Sequence, residues 1–132
     1  MTIRLEVASP ISSYTVNLAN ESPVGRVDFV DFPEEDDDRI FFHTEVDQEF
    51  SGRGLAGLLV REALADSIRK NLTVVPVCPL FARHLRMHGD EFAANGGVFR
   101  QPTPADIALV TRASVGLVST EREDHGIHHR WE

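Results

Sequence analysis

The 132-residue chain predicts a mixed α/β fold, an α+β arrangement in which antiparallel strands lead into a right-handed β-α-β unit. Three observations predict it. Residues 3–7, 13–19 and 24–31 alternate apolar and polar side chains, the period-two pattern of half-buried strands. Between 54 and 70 the apolar spacing changes to three and four, as on one face of a helix. β-Branched and aromatic stretches, 40–46 and 72–78, flank that helix, and a strand-helix-strand order favours a parallel, right-handed connection.

The first two strands are IRLEV and SYTVNLA, followed by a turn at NESPVG. The third, VGRVDFVD, stops at Pro33 and the acidic run 34–38, expected as the solvated tip of a hairpin. IFFHTEV at 40–46 reads as a central strand buried on both faces. In the helix, Leu55, Leu58, Leu59, Ala63, Leu64 and Ile68 form the apolar stripe, and Asn71 suits a left-handed C-cap. Pro76 interrupts the next strand and Pro79 ends it, so the two parallel strands either splay toward their C-terminal ends or Pro76 marks a sheet edge. A second helix is expected over 80–88, stopped by Gly89, and a third from Pro104 to about residue 115. In the third, Thr103 is the N-cap and Ile107, Val110 and Ser114 form the face. Residues 1–118 make one domain with its core in 3–92, and 119–132 a charged flexible tail.

Composition restricts the function. A net charge of −8 argues against nucleic acid and anionic membrane as partners, which attract basic surfaces. One cysteine rules out an internal disulfide and suits a reducing cytoplasm, the expected location; neither a signal peptide nor a membrane span is expected. A monomer or weak homodimer is expected, the third helix either covering sheet or pairing with a neighbour.

The chemistry concentrates in residues 43–61, HTEVDQEFSGRGLAGLLVR, where a strand passes through a glycine-containing turn into the first helix. Gly52 and Gly54 let the backbone approach a bulky anion without a Cβ in the way. The first helical turn leaves N–H donors unpaired at the positive end of the dipole, which suits phosphate or pyrophosphate. A P-loop would need GxxxxGK and then Ser or Thr, which is absent; a dinucleotide fingerprint fails because Ala56 precedes Gly57.

Strand, Val-x-x-x-x-Ser-Gly-Arg-Gly-Leu-Ala, helix and proline-broken strand together resemble the acetyl-CoA signature of the GNAT N-acetyltransferase superfamily. The strand FFHTEV (41–46), PVC (76–78) and LRMHGDEF (85–92) resemble its smallest, single-module branch. The resemblance covers about residues 3–92. It implies a GNAT-like mixed sheet and transfer of an acetyl group from acetyl-CoA, a co-substrate, to a small-molecule amine or a lysine side chain, with no metal. Its cofactor motif maps onto Ser51, Gly52, Arg53, Gly54, Leu55 and Ala56 and places pyrophosphate on the amides from Gly52 to Ala56, Arg53 near phosphate, and the pantetheine arm on the backbone of Val46. Ser51 stands where the superfamily has Gln or Arg, which keeps a backbone cradle and removes one long polar side chain.

Transfer to an amine needs a proton acceptor, stabilised oxyanion charge and a proton for the leaving thiolate. Glu45 and His43 are the titratable groups nearest the slot and share a strand face. Cys78 ends the strand lining the same slot and is either an acid to the leaving group, a transient nucleophile, or a small buried hydrophobe. His43 reads first as a core histidine, with orientation of the substrate or thioester as the functional alternative. His84 and His88 lie one turn apart without a compelling third metal ligand, and read as solvated. Direct attack in a ternary complex is the favoured route. The alternative from another class is a CoA-binding regulatory or interaction module without turnover.

Overall fold

The computed structural model describes residues 2–20, 22–32, 37–50 and 52–125. Among these residues six strands form one sheet in sequence order: β1 (Thr2–Glu6), β2 (Ser12–Asn17), β3 (Pro23–Phe32), β4 (Asp38–Val46), β5 (Thr73–Pro76) and β6 (Val98–Phe99). β1 to β4 are antiparallel, β4 and β5 parallel, and β5 and β6 parallel. This is the mixed sheet the sequence predicts, with β6 added.

Among the described residues three helices cover the sheet: α1 (Leu55–Arg69), α2 (Pro79–Ala94) and α3 (Pro104–His125). Successive strand residues point to opposite faces, and two core clusters form accordingly. Val27, Phe29, Phe41 and Val74 pack against Leu59, Ala63 and Leu64 of α1 and Phe81 and Leu85 of α2. On the other face, Val30, Ile40 and Val75 pack with Leu109, Val110 and Ala113 of α3. The third helix therefore covers sheet surface within the chain.

Helix ends follow local chemistry. Asn71 has φ 58°, its N–H donates to the carbonyl of Ile68, and Leu72 N–H donates to that of Ser67. This paired closure ends α1 at the expected left-handed residue. At α3, Thr103 N–H donates to Asp106 and Asp106 N–H to Thr103 Oγ1, a reciprocal cap.

Several expectations are corrected. Gly89 does not stop α2; it is buried, and an added Cβ would lie 2.9 Å from the Phe99 ring. It makes room for Phe99, and the helix passes it with a kink at His88. α3 continues past Gly116 to His125 in the stretch expected as tail, because no proline follows and one helical glycine costs only about 1 kcal/mol. Residues 126–132 lie outside the described residues. The packed face of α3 is Asp106, Leu109, Val110 and Ala113, while Ile107 is exposed. Asp38, expected in the solvated hairpin tip, is buried; residues 33–36 of that tip lie outside the described residues.

Asp38 and the fully buried Asp106 both accept hydrogen bonds from Arg100, at 2.7 Å each, fastening α3 to the start of β4. The Arg100 bonds, with those from Thr103, outweigh burial and hold the Asp106 carboxyl below its ordinary range. A depressed carboxylate contributes stability above its unfolded pKa of about 4, and that contribution is lost as pH falls through the folded value. Asp106→Asn should lower stability by about 1–2 kcal/mol at neutral pH, discounted for the partial exposure of Arg100. Urea unfolding should show the loss shrinking below about pH 4.

Candidate active site

The site is built around the place where β4 and β5 separate. Their pairing ends at Phe41 opposite Pro76. The Phe41 carbonyl then accepts two N–H groups, from Val77 at 3.0 Å and Cys78 at 2.8 Å. Pro76 has no N–H with which to continue the ladder, and Cys78 turns into α2 as its N-cap residue. The edge of Phe42–Val46 that faces away from β3 is left without a strand partner among the described residues. β5 is not the sheet edge, because β6 pairs with its outer side at Thr73 and Val74.

The separation corrects the expected two-sided burial of residues 40–46. Residues 38–41 are buried, but from Phe42 onward burial alternates, with His43 and Glu45 exposed. A bulge decides which way each side chain points. Asp28 pairs with His43 and Phe29 with Phe41, so Phe42 is the extra residue. One inserted residue reverses the facing of all that follow. Thr44 and Val46 thereby join the face of α1 and α2, and His43 and Glu45 turn to the opposite face, beside Arg26 and Asp28.

Of the candidate catalytic residues, the structure brings His43 and Glu45 together and sets Cys78 on the other face. His43 Nε2 lies 3.2 Å from Glu45 Oε1, and Arg26 Nη2 is 3.0 Å from the same oxygen. The His43 hydrogen bond, then the Arg26 charge, hold the Glu45 carboxyl below its ordinary range, so it is ionised at neutral pH. Arg26 Nε also bridges to Asp28 at 3.1 Å, whose Oδ1 accepts a 2.6 Å bond from Ser13. Cys78 is only 3% exposed, with Sγ 3.3 Å from Thr44 Oγ1. Sequence reasoning missed Thr44 and Arg26. Thr44 borders Glu45 in sequence, but its aim at Cys78 depends on the bulge.

Past β4, a 3-10 turn (Gln48–Phe50) leads to the glycine turn. Gly52 and Gly54 have φ of 83° and 75°, and a Cβ built on either would meet nothing within 4 Å. The turn is open to its surroundings on the side the backbone presents. Gly54 is the N-cap of α1 and supplies no side-chain cap, so the amides of Leu55 and Ala56 at the start of α1 depend on an external acceptor. The Leu55 side chain is buried and anchors the helix start, and the Arg53 guanidinium lies over the Phe50 ring at 5.1 Å. The Val46 side chain packs against the core while its backbone lies on the free edge. Ser51 lies outside the described residues.

The description GCN5-related N-acetyl-transferase matches residues 13–94, from β2 to the end of α2. The chain belongs to this family. Among solved structures, the GCN5-related chain is similar to ribosomal-protein-alanine N-acetyltransferase from Brucella melitensis biovar Abortus 2308, with 21% identity and a TM-score of 0.43. The similarity covers 61% of this chain and 61% of that one. No curated protein matches the chain. Among the described residues of this GCN5-related protein, no group of three His, Cys, Asp or Glu side chains is placed to hold a metal. No helix among them is long and apolar enough to cross a membrane.

Proposed function

We propose that the chain is an acetyl-CoA-dependent N-acetyltransferase that moves the acetyl group to a primary amine, of a small molecule or a lysine side chain, by direct attack in a ternary complex. The separation of β4 and β5 at Phe41 and Pro76 carries this reading, because it opens a strand edge that leads to the Gly52–Gly54 turn. When bound, acetyl-CoA supplies an acetyl group activated as a thioester. The open space over Gly52 and Gly54 and the uncapped amides beyond them fit a pyrophosphate. The unpaired edge of Phe42–Val46 fits the amides of an extended pantetheine arm, and the backbone of Val46 would hold it nearest the turn.

The two faces of β4 divide the proton work. Glu45, ionised, attracts a cationic amine on the open face, and His43, whose Nε2–H donates to that carboxylate, accepts the amine proton at Nδ1. Cys78, hydrogen-bonded to Thr44 on the other face, holds a proton at Sγ for the leaving thiolate. Under this division Cys78→Ala should lower kcat by roughly tenfold to a hundredfold, the low end of general acid catalysis, since a thiolate leaves readily. No label from acetyl-CoA should remain on the wild-type protein without acceptor. Retained label, lost in Cys78→Ala, would replace direct attack by a covalent route.

One observation favours the reading of a CoA-binding module without turnover: Glu45 is already engaged by both His43 and Arg26. Incubation with acetyl-CoA, a panel of amines and lysine peptides separates the two. Acetylated product supports the enzyme; CoA binding with no product across the panel supports the module.

A further inference from the structure

The sheet face that carries His43 and Glu45 also carries Ser13 of β2 and Arg26 and Asp28 of β3. They stand in register: Ser13 pairs with Asp28 and Asp28 with His43, while Arg26 pairs with Glu45. The bulge at Phe42 creates this row. Had the ladder run on regularly from Phe29 and Phe41, Phe42 would stand opposite Asp28 and Thr44 opposite Arg26. Cross-strand neighbours lie within reach of one another's side chains, and here they form a continuous hydrogen-bonded chain. Ser13 Oγ donates to Asp28 Oδ1 at 2.6 Å, and Arg26 Nε lies 3.1 Å from both Asp28 oxygens. Arg26 Nη2 then lies 3.0 Å from Glu45 Oε1, and His43 Nε2 lies 3.2 Å from that same oxygen.

Stability does not account for the chain. The Arg26 side chain is 47% exposed and that of Glu45 55%, and ion pairs so open to water contribute little. The arrangement at Glu45 accounts for it better. His43 and Arg26 both take Oε1, and Oε2 has no partner among the described residues. Glu45 thus still offers one carboxylate oxygen to an ammonium group, and it lines a cavity of about 210 Å³ with Thr15, Gly25, Arg26 and Asp47. The charged groups that face the imidazole are Asp28 and Arg26 from β3 and Glu45 from its own strand. α3, which packs on Phe42, brings no ion pair to any of them among the described residues. Without the guanidinium, His43 would stand between two carboxylates, and both favour an imidazolium, which accepts no proton.

We propose that Arg26 is a positioning residue for acetyl transfer: it fixes Glu45 by Oε1, which holds His43 with Nδ1 free for the amine proton, and its charge keeps the two carboxylates from locking the imidazole in its protonated form. The inference rests on the function proposed above and deepens it. Arg26 acts through Glu45 and His43 and exchanges no proton itself, since a guanidinium stays charged at all working pH values. Asp28, buried and braced by Ser13, anchors the guanidinium at Nε, so that Nη2 is left for Glu45. The His43 and Arg26 contacts also keep the Glu45 carboxyl ionised, and Oε2 presents that charge to the incoming amine.

The test measures kcat/KM against pH with one acceptor amine, whose own titration is common to all variants. Arg26→Gln should move the acid limb of the profile up by about half a pH unit to one unit, the effect of removing one charge from a half-exposed cluster. At about pH 7 its kcat/KM should fall roughly threefold to tenfold, and by about pH 9 it should approach wild type. Arg26→Lys keeps the charge and should keep the limb. Two-bond proton–nitrogen spectra of histidine-labelled protein, with His43 assigned from His43→Gln, give a readout that needs no acceptor. Above its titration His43 should be the Nε2–H tautomer in wild type, and its titration should move up in Arg26→Gln by the same amount as the limb. CoA affinity by calorimetry should be equal in wild type and both Arg26 variants. An unmoved limb and an unmoved His43 titration in Arg26→Gln overturn this inference and leave the proposed function standing. An equal loss at every pH gives Arg26 a structural role only and overturns the inference as well. No acetylated product from wild type across the amine panel overturns both.

Discussion

Replacing Phe41 with alanine should destabilise the protein by about 3–5 kcal/mol, the range for emptying an aromatic site in a core. Phe41 is fully buried, and its ring stacks on that of Phe81 with centroids 4.4 Å apart and planes 7° from parallel. It also meets Phe29 at 5.6 Å and Tyr14 at 6.4 Å, so one residue joins β2, β3, β4 and α2. The surrounding backbone cannot collapse into the space, because the Phe41 carbonyl is fixed by the N–H groups of both Val77 and Cys78. Equilibrium urea unfolding measures the loss, provided the slope is unchanged. Phe41→Leu, which keeps most of the volume, should cost about half as much or less. A loss under about 1 kcal/mol for the alanine variant would show that the stack does not hold the branch point of the sheet. The slot and the core thus share a residue: the ring packs against α2 and the carbonyl marks where the strands part.

What the sequence could and could not tell follows from the range of each interaction. The strands, α1 and the closure at Asn71 are local, set by side-chain period and by residues within one turn, and were legible. The parting of β4 and β5 was only half legible: Pro76 cannot donate to a ladder, but that suits a sheet edge as well as a splay, and only β6 on the outer side of β5 decides between them. The bulge at Phe42 was not legible. Ile40, Phe41 and Phe42 are all apolar, and nothing in that run says which residue is extra, yet the choice decides that His43 and Glu45 face away from Cys78. Gly89 misled for a similar reason. A glycine stop and a glycine that admits a distant ring look the same in sequence, and only Phe99, ten residues on, distinguishes them. Asp38 reads as part of a solvated run because its partner, Arg100, is distant in sequence and brought near by β6 and the start of α3.

Gly54→Glu should abolish measurable CoA binding, a loss on the order of a hundredfold or more, while leaving the protein folded. The two halves of this expectation come from different features of one residue. Gly54 has φ 75° and ψ 14°, so any L-residue there costs about 1–2 kcal/mol in backbone strain. No side-chain clash adds to this, since a Cβ would meet nothing within 4 Å. A carboxylate at the N-cap also interacts favourably with the start of α1, offsetting part of the strain. The fold survives because that space is free; binding fails because the same space would hold the pyrophosphate, and a second anion a few ångströms away repels it. A series separates strain from charge. Gly54→Asn tolerates the left-handed backbone and should bind CoA within a few-fold of wild type, and Gly54→Ala carries the strain without the charge and should lie between. Calorimetry with CoA, read beside thermal unfolding of each variant, gives both quantities. Wild-type affinity in Gly54→Glu would remove the glycine turn from the cofactor site.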